Sequence, residues 1–429
     1  MSGSPTMYSA SGASDFDSAP VLSVEQARRH LVVRALPMVE TEVVATESAL
    51  GRVLAEDQCS PINVPGADSS AMDGYALTSH DCGKSGQLRL GVSQRIAAGQ
   101  VGRPLAPATA ARIFTGAWLP SGAAAVVMQE HCRTESDGAV VITGPVTCGV
   151  NVRHKGEDIA VGACLLSRGR RLRAPDLGLA GSMGLARLPV FRRLRVALVC
   201  TGNELVEPGA ALGPGQIYNS NRYTLSGLIQ GLGCERLDIG QVPDDAGQTR
   251  EVLERAAEAA DVVIAAGGVS VGEEDHVKAV IRDLGNLDLM QVAIKPGKPF
   301  VFGRIGTTPF LGLPGNPVSA FVTFCLFARP FILCSQGVAR GHGGADAAPR
   351  SFPVVAGFEW SGEKKRREYL RARLRSTEDG AAIAEIYPNQ GSAVLSSATW
   401  AEGLVEVPEC QRVAHGQTVR FLPFSDLLS

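Results

Sequence analysis

The sequence is short of the features that most directly announce a function. Its ten cysteines stand singly, with no C-x-x-C pair, so neither a zinc site nor a disulfide framework is expected, and a reducing compartment suits them best. Aromatic residues make up only 5% of the chain and are not interleaved with basic ones. With a net charge of −2, nothing favours nucleic acid or an anionic membrane surface as a partner. No apolar run of bilayer length stands out, so no membrane span is expected. The first nineteen residues are rich in Ser, Ala and Gly but lack the basic start and apolar block of a signal peptide. Residues 1–20 therefore read as a disordered extension, and the protein as cytoplasmic.

What is present is length, and glycine at telling places. A chain of 429 residues exceeds one ordinary core and predicts several domains. Its centre is the stretch from Asp261 to Asp275. Val262, Val263, Ile264, Ala265 and Ala266 form a run suited to a strand covered on both faces. Gly267, Gly268 and Gly272 then permit positive φ and close approach of a ligand, with Ser270 between them. Val277, Val280, Ile281 and Leu284 recur at helical spacing. Bare amides at such a turn can hold a phosphate, yet Glu273, Glu274 and Asp275 crowd the same turn. A magnesium ion would reconcile phosphate with carboxylates. Glu273 and Glu274 are equally well explained as charges that stabilise a helix start. The glycines match neither a Walker A loop nor G-x-G-x-x-G.

Around this stretch the pattern is that of a doubly wound sheet, α/β/α in three layers. Val196–Cys200 and Leu237–Val242 read as further strands, and Asn221–Gly231, Glu251–Ala260 and Val277–Leu284 as helices. Ligands bind at the carboxyl ends of strands in such sheets, and Glu204, Asp244, Asp245 and Asp275 all fall just after strands. Lys295 and Lys298 flank a Pro-Gly turn, and Pro314 and Pro317 stiffen the next loop. Each has a bland reading as a solvated turn or chain reversal; together they add cations to an edge already rich in carboxylates, as an anionic substrate with a metal would need.

The rest divides around that sheet. Residues 21–61 and 150–190 form a discontinuous N-terminal domain, with Ser23 and Gln26 as a capping box and helical spacing continuing past Pro37 to Leu54. Residues 62–149 carry short β-prone segments and read as an inserted β domain. Within it Asp73-Gly74 is an ordinary turn on sequence grounds, and Thr115 either touches a ligand or satisfies a turn. Residues 191–336 form the α/β domain, and residues 345–429 a C-terminal β-barrel. Cys200, with no histidine paired to it, reads as a core thiol.

Taken in order, Ser-Ala-Met-Asp73-Gly-Tyr-Ala, Thr115-Gly-Ala, Arg-His-Lys-Gly-Glu-Asp158-Ile, Thr201-Gly-Asn-Glu204-Leu, Gly-Gly-Val-Ser-Val-Gly-Glu-Glu-Asp275, Lys295-Pro-Gly-Lys298-Pro-Phe and Gly-Leu-Pro314-Gly-Asn-Pro317-Val-Ser form a series. The series resembles the molybdopterin molybdenumtransferase (MoeA) family, which includes the E domain of gephyrin, over nearly everything from Val21 onward. The resemblance implies a MogA-like sheet domain, an elongated N-terminal domain and a homodimer with its site shared between subunits. It implies that molybdate and adenylylated molybdopterin are the substrates, that magnesium assists cleavage of the pyrophosphate link, and that AMP leaves. Asp73, Thr115, Glu204, Asp244 and Asp275 match the family's functional residues, with Glu204, Asp244 and Asp275 as metal ligands. Gly267, Gly268, Ser270, Gly272, Lys295, Lys298, Pro314, Pro317, Arg371 and Ser392 are the expected substrate contacts. The upstream adenylyltransferase and molybdoenzyme chaperones are the partners such a protein would meet. Asn203 stands where many relatives carry Asp, and His154 where arginine is common. Two other readings compete: an adenylyltransferase making the adenylylated pterin, which is typically the lone sheet domain, and a non-catalytic scaffold.

Overall fold

The computed structural model describes residues 21–35, 37, 39–268, 276–339, 349–378 and 380–428. At its centre the strands Thr308–Leu313, Val262–Ala266, Arg195–Thr201 and Glu235–Val242 lie side by side and parallel, in that order. They are apolar throughout because both faces are covered. Val196, Leu198 and Cys200 pack into one core, while Ala197 and Val199 pack into the other. Helices Ser220–Gly231 and Pro317–Thr323 contribute to the first core, and Ala246–Ala259 and His276–Leu284 to the second. The doubly wound three-layer arrangement read from the sequence is present. Beyond Thr308–Leu313, however, the sheet continues through Pro299–Ile305, antiparallel to Thr308–Leu313, and Gly285–Val292, antiparallel to Pro299–Ile305. The sequence reading did not mark these as strands: Pro299–Ile305 opens on a proline and is broken by Gly303, and Gly285–Val292 carries Asn286, Asp288 and Gln291 among its apolar residues.

One expectation is corrected here. Pro317–Ser335 is a single apolar helical stretch of 19 residues, with a π-helical segment over Phe324–Ala328. By length and composition it could cross a bilayer, and it is fully buried inside the protein. The expectation that no apolar run reaches bilayer length passed over this text because Arg329 and Pro330 interrupt it.

The N-terminal helix Val24–Arg34 begins with the expected capping box: Gln26 N–H donates to Ser23 Oγ and Ser23 N–H to Gln26 Oε1. Val24, Ala27 and Leu31 bury into the first sheet core, and Val21–Leu22 adds an edge strand to the central sheet. Helical spacing beyond Pro37 does not produce a helix. The β-branched Thr41–Ala45 pairs antiparallel with Arg187–Phe191 instead.

The insertion is a six-stranded sheet running from Ala123–Met128 to Cys132–Thr134, with Gly74–Thr78 and Thr109–Ile113 adjacent within it. Where the chain enters and leaves it, Gln58–Cys59 pairs with Cys164–Leu166, and Cys59 is disulfide-bonded to Cys164. The expectation that the cysteines stand unpaired is corrected at this one position. The partners are 105 residues apart in sequence, and only the excursion of the inserted sheet brings them together. At the C-terminus, Arg367–Ser376, Ala382–Ile386, Phe352–Ala356, Thr418–Pro423 and Gly403–Val407 close into a five-stranded barrel. One short strand of the sheet domain, Ile294–Lys295, pairs with the barrel so that Lys295 lies opposite Glu368.

Candidate active site

A cleft of roughly 970 Å³ opens at the carboxyl ends of the parallel strands, between the sheet and the loop 390–393 of the barrel domain. Its floor is glycine by necessity. Gly267 and Gly268 follow the strand Val262–Ala266 at φ +89° and +63°. A Cβ on Gly267 would lie 2.7 Å from the Thr201 carbonyl, and one on Gly268 would lie 2.8 Å from Thr201 Oγ1. Any larger residue would displace the neighbouring strand end. The buried Thr201 Oγ1 and Asn221 Oδ1 in this region have no hydrogen-bond partner among the described residues, which leaves two acceptors on the cleft wall for a ligand.

The acidic wall comes from loops after two neighbouring strands. Asn203 N–H donates to Asp244 Oδ2 at 3.3 Å and Asp244 N–H donates to Asn203 Oδ1 at 3.1 Å. This reciprocal clamp ties the two loops together, and Glu204 and Asp244 both line the cleft. Asn203, the departure noted in the sequence, thus has a backbone partner of its own. Asp245 does not share the wall; its side chain caps the helix Ala246–Ala259 by accepting from Gln248 N–H. Among the described residues no group of three acidic, His or Cys side chains could hold a metal by itself. Two carboxylates beside a phosphate-sized floor nonetheless fit magnesium, which takes one or two carboxylates and completes its shell with phosphate and water.

The basic wall faces them. Lys295, Lys298 and Arg366 line the cleft. Lys295 Nζ lies 2.8 Å from Glu368 Oε1 and 3.3 Å from Glu363 Oε1, and Arg366 Nη2 lies 3.1 Å from the same Glu363 oxygen. Burial lowers the Lys295 pKa, but the hydrogen bond and charge of Glu368 outweigh it, so the ammonium is held above its ordinary value. The hydrogen bond from Lys295, then the Arg366 charge, holds the Glu363 carboxyl below the usual range. Lys298 makes no ion pair among the described residues.

Rigid connections close the third side. Pro314 and Pro317 bracket the loop before the buried helix, where Asn221 Nδ2 donates to Gly315 O at 2.7 Å and Val318 N–H donates to Ser392 O at 2.9 Å. Arg371 stands behind this side, fully buried. It donates through Nη2 to Gly391 O, through Nη1 to Tyr369 O and through Nε to Ser397 Oγ. Burial pushes its pKa down to about 10, so it stays charged at neutral pH.

The structure therefore gathers Glu204, Asp244, Gly267, Gly268, Lys295, Lys298, Pro314, Pro317 and Ser392 around one cleft. Arg371 reaches it only through the backbone it holds. Asp73 and Thr115 do not line it. They pair with each other in the inserted sheet, where Asp73 Oδ1 accepts from Thr115 N–H and Oγ1–H, both at 2.8 Å. These bonds, the backbone one foremost, hold the Asp73 carboxyl below its usual range. Ser270, Gly272 and Asp275 lie outside the described residues. Sequence reasoning passed over Arg366, Gln390 and Asn221; the basic run Lys364–Arg367 was the available signal for the first. Cys200 is buried, and burial pushes its thiol up to about 11, so it is inert as a nucleophile.

Comparison with known proteins identifies the family. Residues 22–184 match the MoeA N-terminal region (domain I and II), residues 197–333 the "Probable molybdopterin binding domain", and residues 353–424 the MoeA C-terminal region (domain IV). The chain is 37% identical over 410 residues to the molybdopterin molybdenumtransferase of Haemophilus influenzae, covering 95% of this chain and 100% of that one. It is 39% identical over 343 residues to the enzyme of the same name from Nostoc, with 78% and 77% covered. The crystal structure of the molybdopterin biosynthesis MoeA protein from Pyrococcus horikoshii superposes with a TM-score of 0.80 at 27% identity, over 94% of this chain and 100% of that one. These matches span nearly the whole chain, and the chain belongs to the molybdopterin molybdenumtransferase (MoeA) family of molybdenum cofactor biosynthesis enzymes.

Proposed function

We propose that the cleft transfers molybdenum from molybdate to adenylylated molybdopterin, cleaving the pyrophosphate link and releasing AMP. The observation that carries this reading is the meeting of two carboxylates and three cations across a glycine floor in one cleft. The positive-φ backbone at Gly267 and Gly268, on the cleft lining, suits a turn whose amides face a phosphate. Thr201 Oγ1 and Asn221 Oδ1 accept hydrogen bonds from the pterin nucleotide. Molybdate, a tetrahedral dianion, is held as substrate by Lys295 and Lys298 with Ser392 beside them. Arg371 fixes the loop that presents Ser392. Glu204 and Asp244, with Asp275 in the sequence-based assignment, would hold magnesium, which supplies charge neutralisation at a phosphoanhydride. No side-chain nucleophile is required, since an oxygen of molybdate or water attacks phosphorus and the thiol of Cys200 is out of reach.

Asp73 and Thr115 stand apart from the cleft, so in this reading a second copy of the chain brings them to it, as a homodimer in the cytosol. The test is direct. Purified protein given adenylylated molybdopterin, molybdate and magnesium should release AMP and yield active cofactor. ATP-dependent adenylylation of molybdopterin without AMP release would replace this reading with that of an adenylyltransferase.

A further inference from the structure

The cations of the cleft are already engaged. Lys295 and Arg366 together carry two positive charges, and Glu363 and Glu368 carry two negative ones within 3.3 Å of them. The two glutamates are not equivalent. Glu368 is 1% exposed, receives the Trp360 indole N–H at 2.7 Å and the Glu363 backbone N–H at 3.2 Å, and sits on a barrel strand opposite Lys295. It cannot leave. The Glu363 side chain is 37% exposed and bridges Lys295 and Arg366 from the rim, with its carboxylate bonded only to those two cations among the contacts described. It lies in a loop between barrel strands and can swing into water at small cost.

We propose that Glu363 is an internal competitor for the cations of the oxyanion subsite, displaced when a tetrahedral oxyanion enters, and that Glu368 is the fixed residue positioning Lys295. This rests on the reading of the cleft given above and adds to it the residue that sets the subsite's affinity. With Glu363 and Glu368 in place, Lys295 and Arg366 present no net charge, and of the cleft's three cations Lys298 alone makes no ion pair with a described residue. An incoming dianion must therefore exchange with a carboxylate. The exchange keeps affinity low enough for the oxyanion to move on into chemistry, and it selects for ligands of charge greater than one.

The two carboxylates predict opposite signs, which a purely structural role does not. Titration calorimetry with sodium molybdate on the full chain should show Glu363→Gln binding about tenfold tighter than the natural protein, and Glu363→Ala tighter as well. Glu368→Gln should bind about tenfold weaker, because Lys295 loses its fixed partner. Lys295→Ala supplies the reference for a lost subsite. If Glu363→Gln binds equally or more weakly while Lys295→Ala abolishes binding, the competitor role is overturned and the oxyanion subsite stands. If the natural protein and all variants fail to bind molybdate, the reading of the cleft falls, and this inference with it.

Discussion

Gly267→Ala tests whether the cleft floor is closed to any side chain. Two costs are added. At φ +89° an L-residue bears a steric cost of about 1–2 kcal/mol. The new methyl would also stand 2.7 Å from the Thr201 carbonyl and 3.1 Å from Thr201 Oγ1, and overpacking of this kind costs about 1–3 kcal/mol. The sum, about 2–5 kcal/mol, should appear where the strands meet. Gly240→Ala separates the two costs, since Gly240 has φ +92° but open space where a Cβ would go. The assay is native-state hydrogen exchange of Ile264 and Ala265, which lie on the strand leading into the turn. Their opening free energy should fall by about 1–3 kcal/mol more in Gly267→Ala than Gly240→Ala lowers that of its own strand, Glu235–Val242. Equal losses in the two variants would refute the close contact with Thr201 and with it the account of the floor.

Arg371→Met should keep the fold but remove one hydrogen bond each from Tyr369 O, Gly391 O and Ser397 Oγ, the last two of which keep a second bond within the loop, a loss offset by relief of a buried charge. The expected signature is weaker molybdate binding with unchanged nucleotide binding, and loss of both would contradict its role behind Ser392 alone. Asp176 is penalised by burial, but the hydrogen bonds from Arg170 and Arg173 bring its pKa down to about 2. Its folded value is depressed, so its contribution is complete above the unfolded value near 3.8 and is lost as pH falls toward 2. Asp176→Asn should flatten the acid limb of a stability–pH curve in that window, and an unaltered limb would contradict the pairing. Thiol titration of the denatured, unreduced protein should count eight groups; ten would refute the bond between Cys59 and Cys164.

Much of this architecture could be read before any coordinates. Where burial imposes a pattern, as in Val262–Ala266 or Val196–Cys200, residue type and strand coincide, and Glu204 and Asp244, written just after two neighbouring strands, line one cleft. The capping box at Ser23 is equally local. What escaped depends on partners distant in sequence. Gly285–Val292 is a strand because Pro299–Ile305 lies beside it, not because of its own text. Cys59 meets Cys164 only through the excursion between them. Arg371 carries the same side chain whether it points into a pocket or behind one, and only the carbonyls of Tyr369 and Gly391 decide. The Asp73–Thr115 pair is closed by two hydrogen bonds within the inserted sheet and lies apart from the cleft, a separation that the order of the motifs along the chain does not reveal.

The buried stretch Pro317–Ser335 has a consequence for the order in which the protein is made. Every strand of the central sheet is synthesised before it. Until then that face of the sheet is covered only by Val24–Arg34 and Ser220–Gly231, and the segment that completes the cover emerges with the hydropathy of a membrane span. Docking has to outpace capture by the export machinery or by chaperones. The strands already in place are the competing receptor, so weakening the sheet's edge should send nascent chains to the membrane before it lowers the stability of finished ones.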